Sequence, residues 1–371
     1  MAGVPTVYQV AERAGVSTAT VSRVLNATGR VLPQTRDKVL AAVAELGYLP
    51  SGAAQDLASR RTAVLGLCFP DLADDQDMAH SDASYWYDEV IRGMERAARR
   101  RGYAVLIAAS HESDDVRLVL TVAGRCDGLV VLAGTVPVRM LEHIAMRIPV
   151  VVLAAGREPG ETAGLLDHLS VASETGGYQL TAHLADQHGY QRMTFVAGPR
   201  DSPDSAHRFE GFRKAMAERG LATAQEPGYH ADFTTAGGRR AASAIFAAPG
   251  PAPRALVCAN DQMAAGAMAA LQAAGLRVPQ DVAVAGFDGI QLSAHLRPGL
   301  TTVAAPMRTL GGQAVDLITD RIASPSQPAR SIQLAVRLVL RGSCGCPEPA
   351  DRQSGQPLPP DHRPLLLGGI A

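Results

Sequence analysis

The sequence predicts a small N-terminal three-helix helix-turn-helix domain followed by two doubly wound α/β lobes. Two observations lead there. Before Thr62, short amphipathic helical runs are punctuated by glycine, and the segment is basic. After Thr62, apolar runs of strand length alternate with helical patterns, the signature of parallel sheets covered on both faces.

A chain of 371 residues exceeds one ordinary core and suits two or three compact units. With 47% hydrophobic residues, 19% charged residues and a formal net charge of -1, it is globular, which excludes a disordered or nucleic-acid-coating chain. The balanced total conceals an asymmetry. Through Arg61 there are 7 Lys/Arg against 4 Asp/Glu, or +3, leaving 28 against 32, or -4, for the rest. A basic head on a mildly acidic body fits a head that meets phosphates.

The opening MAGVPTVYQVAERAG has no apolar signal region, and no stretch is long enough to span a bilayer. The expectation is a cytoplasmic, nucleoid-associated protein with no membrane contact. Five scattered cysteines read as reduced thiols. Cys344-Gly-Cys346 offers half of a metal-ligand set with no second pair nearby, so neither a metal nor a cofactor is expected.

In the head, Thr6 and Gln9 have the spacing of a capping box. Val7, Val10, Ala11 and Ala14 then mark one face of a short helix that Gly15 ends. Ser17 caps a second helix to about Leu25, with Val16 and Val21 placed as a hydrophobic staple. Val21, Val24 and Leu25 face a core; Thr18, Ala19, Ser22, Arg23 and Asn26 lie opposite, small and polar enough to fit a major groove. Arg23 can donate two hydrogen bonds to a guanine edge, whereas Ser17, Thr20, Ser22 and Asn26 suit phosphate oxygens. After Pro33, Val39, Ala42, Val43 and Leu46 close a three-helix core. The bland alternative is a helical bundle with a solvated polar face.

The run Thr6-Val-Tyr-Gln-Val-Ala-Glu-Arg-Ala-Gly-Val-Ser-Thr-Ala-Thr-Val-Ser-Arg-Val-Leu-Asn26 resembles the signature of LacI/GalR transcriptional regulators. So do Thr35-Arg-Asp-Lys-Val39 and Glu45-Leu-Gly-Tyr-Leu-Pro50. The resemblance implies a homodimer whose heads, through Thr6 and the second helix, read the halves of a near-palindromic double-stranded operator. It also implies a hinge helix at about 53–59, in which Ala54 and Leu57 meet DNA and Leu57 wedges into the minor groove. Such a wedge costs unstacking and is offset by the contacts that the bend permits. Here Ser51-Gly52 adds flexibility, and Asp56 weakens phosphate contact unless it faces away.

In the body, strand patterns fall at 63–69, 103–109, 128–132, 150–153, 193–197, 255–259 and 282–287. Helical patterns fall at 87–101, 175–187, 205–219, 236–246, 261–274 and 305–322, and 332–340 reads as extended. Leu300-Thr-Thr-Val303 and Val339-Leu-Arg-Gly-Ser343 are similar to the closing segments of LacI-type effector domains, which implies lobes of the periplasmic-binding-protein (type I) kind. The organisation expected is residues 1–50 for DNA binding, 51–61 as hinge and linker, 62–343 for effector binding and dimerisation, and 344–371 as a Pro-rich disordered tail.

The resemblance carries effector contacts to Arg208, Asn260, Asp288 and Phe233, and to the aromatic pair Trp86 and Tyr87. An arginine fork, an amide, a carboxylate and a stacking ring suit a polyhydroxylated small molecule, so a sugar or sugar derivative is the expected ligand. Two alternatives stay open: Arg208 and Asp288 pairing with each other structurally, and Phe233 serving as plain packing. Two departures bear on the ligand. The acidic run 71–84 is either a lid or a solvated excursion, and its spacing matches no metal-ligand set. Ala172-Ser173 stands where relatives often carry Asp-Asn.

The rival readings are a regulator of the same fold using a nucleotide or purine corepressor or a protein partner, a solute-binding protein, and an enzyme. The sequence holds no G-x-S-x-G, H-E-x-x-H or phosphate loop, and the six histidines His80, His111, His143, His168, His183 and His188 show no partnered spacing, so no enzyme is expected.

Overall fold

The computed structural model describes residues 5–25, 29–49, 61–70, 84–110, 116–154, 162 and 164–347. The chain divides into two compact units, Met1–Thr62 and Ala63–Ala371. Asn26, Ala54, Leu57 and the acidic run 71–83 lie outside the described residues.

In the first unit, α1 (Val7–Ala14), α2 (Thr18–Leu25) and α3 (Pro33–Leu46) enclose Val10, Val21, Val24, Val39 and Ala42. The capping box forms: the Thr6 amide donates to Gln9 Oε1 at 2.8 Å, and the Gln9 amide donates back to Thr6 Oγ1 at 3.4 Å. Gly15 stops α1 in the left-handed region at φ 66°, where a Cβ would be strained. Ser17 Oγ accepts from the Thr20 amide at 3.2 Å and starts α2.

The second unit holds two six-stranded sheets. The first, in the order β11-β5-β4-β3-β1-β2, is parallel throughout and built from β1 (Val64–Pro70), β2 (Ala104–Ser110), β3 (Gly128–Leu132), β4 (Val150–Leu153), β5 (Leu166–Val171) and β11 (Ser331–Leu334). α4 (Ser84–Arg100), α5 (Val116–Ala123), α6 (Val138–Ala145) and α12 (Met307–Ala323) cover its faces. The second sheet runs β12-β10-β9-β8-β6-β7. It comprises β6 (Met193–Ala197), β7 (Tyr229–His230), β8 (Ala255–Cys258), β9 (Ala283–Asp288), β10 (Thr301–Ala304) and β12 (Arg337–Val339), parallel except where β12 runs against β10. Around it lie α7 (Ser173–His188), α8 (Pro203–Glu218), α9 (Thr235–Ala247), α10 (Asp261–Ala273) and the short α11 (Gln291–His295).

Three short connections join the lobes: residue 172 between β5 and α7, residues 305–306 between β10 and α12, and residues 335–336 between β11 and β12. The single extended run expected at 332–340 is therefore two strands, one in each sheet. Ala305 and Val336 pack against the cores of both lobes.

Three helix pairs approach backbone to backbone through glycine. A methyl group at Gly93 would collide with the Arg308 carbonyl, and one at Gly311 with that of Val90. Gly177 and Gly211 hold α7 against α8 in the same reciprocal way, and Gly238 and Gly266 hold α9 against α10.

One boundary moves. Cys344, assigned from composition to the tail, closes a 3-10 turn at Gly342–Cys344 and is fully buried. Ser343 holds that turn to the sheet, accepting from the Thr301 amide at 2.8 Å and donating to the Val284 carbonyl at 2.6 Å. The described body thus continues to residue 347, because hydroxyl and thiol groups at 343–344 replace the apolar signal that would have marked a core.

Candidate functional site

In the head, Ala19, Ser22 and Arg23 are exposed on α2, while Thr18 and Thr20 are half-buried at its start. Ser17 and Thr20 share a 3.0 Å hydroxyl contact, so these two phosphate candidates also shape the helix N-terminus. That N-terminus carries the positive end of the helix dipole, which favours an anionic backbone. Thr6 is exposed beside Tyr8, whose ring is 73% accessible. Tyr8 is a large aromatic on the polar face of α1, a feature visible in the sequence. Arg13 is held to α3 by Glu45, its Nη2 2.7 Å from Oε2.

In the body, four of the six expected effector residues come together at the carboxyl ends of the second sheet's strands, where ligands of such sheets bind. Arg208, from the first turns of α8, is 3% exposed. Its Nη1 donates to the Ala259 carbonyl at 2.5 Å, its Nη2 lies 3.2 Å from Asp288 Oδ1, and its guanidinium stacks 3.9 Å above the Phe287 ring. Nε of Arg208 and Oδ1 of Asp288 nevertheless have no well-aligned hydrogen-bond partner among the described residues. Asp288 ends β9 at φ 102°, a backbone conformation costly for a non-glycine residue. Burial raises its carboxyl above the ordinary range, Arg208 opposes that shift, and Asp204 adds to it. Asp261 beside it is raised well above that range, first by burial and then by Asp288.

Asn260, carried over as an effector contact, is engaged here within the protein. Its Nδ2 donates to the Phe233 carbonyl and to Gln262 Oε1, both at 2.9 Å, and its Oδ1 caps α10 by accepting from the Met263 amide. Both amide hydrogens are engaged, so Asn260 positions Phe233. Phe233 itself is held at φ 65°, between the Asp232–Thr234 turn and Gly198, where its ring fills the place of a side chain. Trp86 and Tyr87 lie in the first lobe at the start of α4, with Tyr87 stacked on Phe69 at 4.5 Å and Trp86 edge-on to Tyr87.

Further residues join this cluster. Asp204 lies one turn before Arg208, an i, i+4 spacing legible in the sequence, and accepts from Ser173 Oγ at 2.9 Å. His230 ends β7 with Nδ1 3.2 Å from the Gly198 carbonyl, and its buried Nε2 has no partner among the described residues. No spacing rule could have found it. At the opposite end of the second sheet, His183 and His188 of α7 meet Cys344 and Cys346, with all four ligand atoms within 4.8 Å of one another. The fold supplies the second pair that the sequence lacked near Cys344-Gly-Cys346.

A base-reading unit and a small-molecule-holding unit on one chain make up a DNA-binding regulator under ligand control. Comparison with known proteins agrees. Residues 6–51 match the pattern of bacterial regulatory proteins of the lacI family, and residues 181–344 that of the periplasmic binding protein-like domain. The HTH-type transcriptional repressor PurR of Erwinia tasmaniensis is 33% identical over 345 residues, covering 91% of this chain and 96% of that protein. The PurR repressor of Escherichia coli gives the same identity and coverage. Among solved structures, the regulator CelR in complex with cellobiose is 30% identical with a TM-score of 0.66, covering 91% of this chain and 99% of its own. The Lac repressor dimer bound to operator and the anti-inducer ONPF is 28% identical with a TM-score of 0.75, covering 92% and 99%. The chain belongs to the lacI family, a family of regulators, and is a DNA-binding allosteric repressor. No helix among the described residues is long and apolar enough to cross a membrane.

Proposed function

We propose that this repressor acts in the cytoplasm as a homodimer on a near-palindromic operator, and that a sugar or sugar derivative bound between its lobes sets operator affinity. The buried Arg208–Asp288 pair carries this reading. Two charged groups, with the Arg208 Nε still without a hydrogen-bond partner among the described residues, match a ligand with adjacent hydroxyls. The relative crystallised with cellobiose supports the same ligand class. Thr6, Ser17, Thr20 and Ser22 hold phosphates, Arg23 reads a base, and Thr18 and Ala19 keep the helix slim enough for the groove. Ala54 and Leu57 engage the minor groove. Ligand changes lobe closure, and by linkage an inducer is bound less tightly by the operator-bound dimer.

Selection of bound duplexes from a random pool by the purified chain, with and without ligand, tests this. A palindrome of about one to two helical turns is expected. Sugars, nucleobases and nucleotides are then screened for displacement from that sequence. A response to nucleobases alone would replace the sugar reading with the purine one, and recovery of no preferred sequence under any condition would overturn the operator reading.

A further inference from the structure

We infer that His183, His188, Cys344 and Cys346 form a closed tetrahedral metal site, with zinc as the ion of matching chemistry, that staples the end of the effector domain to the last turn of α7.

The argument is geometric. Zinc bonds of about 2.3 Å to sulfur and about 2.0–2.1 Å to nitrogen, set at tetrahedral angles, require edges of about 3.4 Å between nitrogens and about 3.6 Å between nitrogen and sulfur. The two Nε2 atoms are 3.3 Å apart. The Cys346 sulfur lies 3.4 Å from each of them, and the Cys344 sulfur 3.7 Å from that of His183. These four of the six edges fall within about 0.2 Å of a tetrahedron around an ion, and the two others, from the Cys344 sulfur to Cys346 and to His188, are no longer than 4.8 Å. Hydrogen bonding alone does not account for this convergence, since sulfur is a weak partner and the hydrogen bonds found for the two imidazoles among the described residues run to each other and to the two sulfurs.

The fold builds the site deliberately. Gly345, at φ 102°, reverses the chain so that Cys346 returns to face the histidines, and a Cβ there would press on the His188 ring at 3.3 Å. Outer partners fix the ligands as outer-shell groups do in metal sites. Thr301 Oγ1 donates toward the Cys344 sulfur at 3.0 Å, Tyr190 donates from its hydroxyl to the Cys344 carbonyl at 3.1 Å, and the Tyr190 ring stacks on His188. Cys344 is buried while the other three ligands are half-buried, which leaves an approach for the ion. Two thiolates with two imidazoles select zinc over magnesium or calcium. Because the protein fills all four positions, the site is structural and not catalytic.

The test uses the full-length protein, purified without a histidine tag. Elemental analysis after growth with zinc should find one equivalent per chain. After removal of the metal, cobalt(II) should bind stoichiometrically and give the intense visible bands of tetrahedral cobalt with a sulfur-to-cobalt charge-transfer band. Cys346→Ser and His188→Gln should each weaken cobalt binding by more than about 100-fold, beyond the 10- to 100-fold typical of outer-shell changes. Cys126→Ser should leave it unchanged, and circular dichroism shows that each variant is folded. Substoichiometric metal, the weak spectrum of octahedral cobalt, or a signature that survives both ligand substitutions would overturn the site.

Discussion

Arg208 Nη2 stands 3.2 Å from Asp288 Oδ1 with both side chains almost wholly buried, which makes this pair the electrostatic centre of the second lobe. Neither group is independent: Arg208 also faces Asp204 at 3.9 Å, so one guanidinium serves two carboxylates. Arg208→Ala strands both acids. The expected cost is about 3–5 kcal/mol in urea denaturation, together with loss of ligand response at the operator. An unaltered ligand response in that variant would remove Arg208 from the binding site.

The raised carboxyls give a pH signature. Asp288 holds its proton more tightly folded than unfolded, so its contribution to stability is present in full below its ordinary value of 3.8 and is lost as pH climbs through the raised value. Asp261 acts in the same direction. The urea midpoint should therefore decline as pH rises above the ordinary carboxylate range, and Asp288→Asn should shrink that slope. An equal slope in the variant would show that Asp288 does not titrate abnormally.

In the head, Arg23→Ala should cost about 1–3 kcal/mol of discrimination at one base position while phosphate-driven affinity persists. Competition between the selected operator and a base-substituted duplex measures this. Unchanged discrimination would remove Arg23 from base reading.

The proposed minor-groove contact of Leu57 has its own test. Leu57→Ala should lose operator affinity and DNA bending with the dimer intact, as read by sedimentation and electrophoretic bending assays. Wild-type bending would exclude the wedge.

Two adjacent glycines in α12 should respond oppositely to alanine. A methyl at Gly311 meets the Val90 carbonyl, and the expected cost is about 1–3 kcal/mol or more. At Gly312 the nearest atoms are 3.8 Å and 4.0 Å away, so alanine should stabilise by about 0.5–1 kcal/mol through helix propensity. Thermal melting of the two variants decides the matter, and a shift of the same sign in both would contradict the close approach.

Where a strand is almost wholly apolar, its sequence suffices: 128–132, 150–153 and 193–197 form strands at the bounds read from the sequence. β5 was missed because Asp167-His168 interrupts it. Asp167 is tolerated inside only because Arg321 donates two hydrogen bonds to it, at 2.9 Å and 3.0 Å, and the Arg330 amide a third. β7, two residues long, gives no period to detect. At the site, Arg208, Asp288 and Phe233 were legible as residue types. That Asn260 is turned inward, and that His183 and His188 reach Cys344 and Cys346 across some 160 residues, are facts of tertiary folding. Helix periodicity cannot announce a partner on a distant turn.

Helices that touch backbone to backbone have no flexible side chains between them to absorb displacement, so each lobe resists internal sliding. Deformation must then concentrate in residue 172, residues 305–306 and residues 335–336, where the polypeptide passes between the sheets. All three crossings are one or two residues long, so any change of lobe angle falls on a handful of backbone torsions. In the dimer proposed above, closing the lobes on a ligand is expected to draw on these few residues, and a glycine or proline placed among them should alter ligand response without touching the ligand.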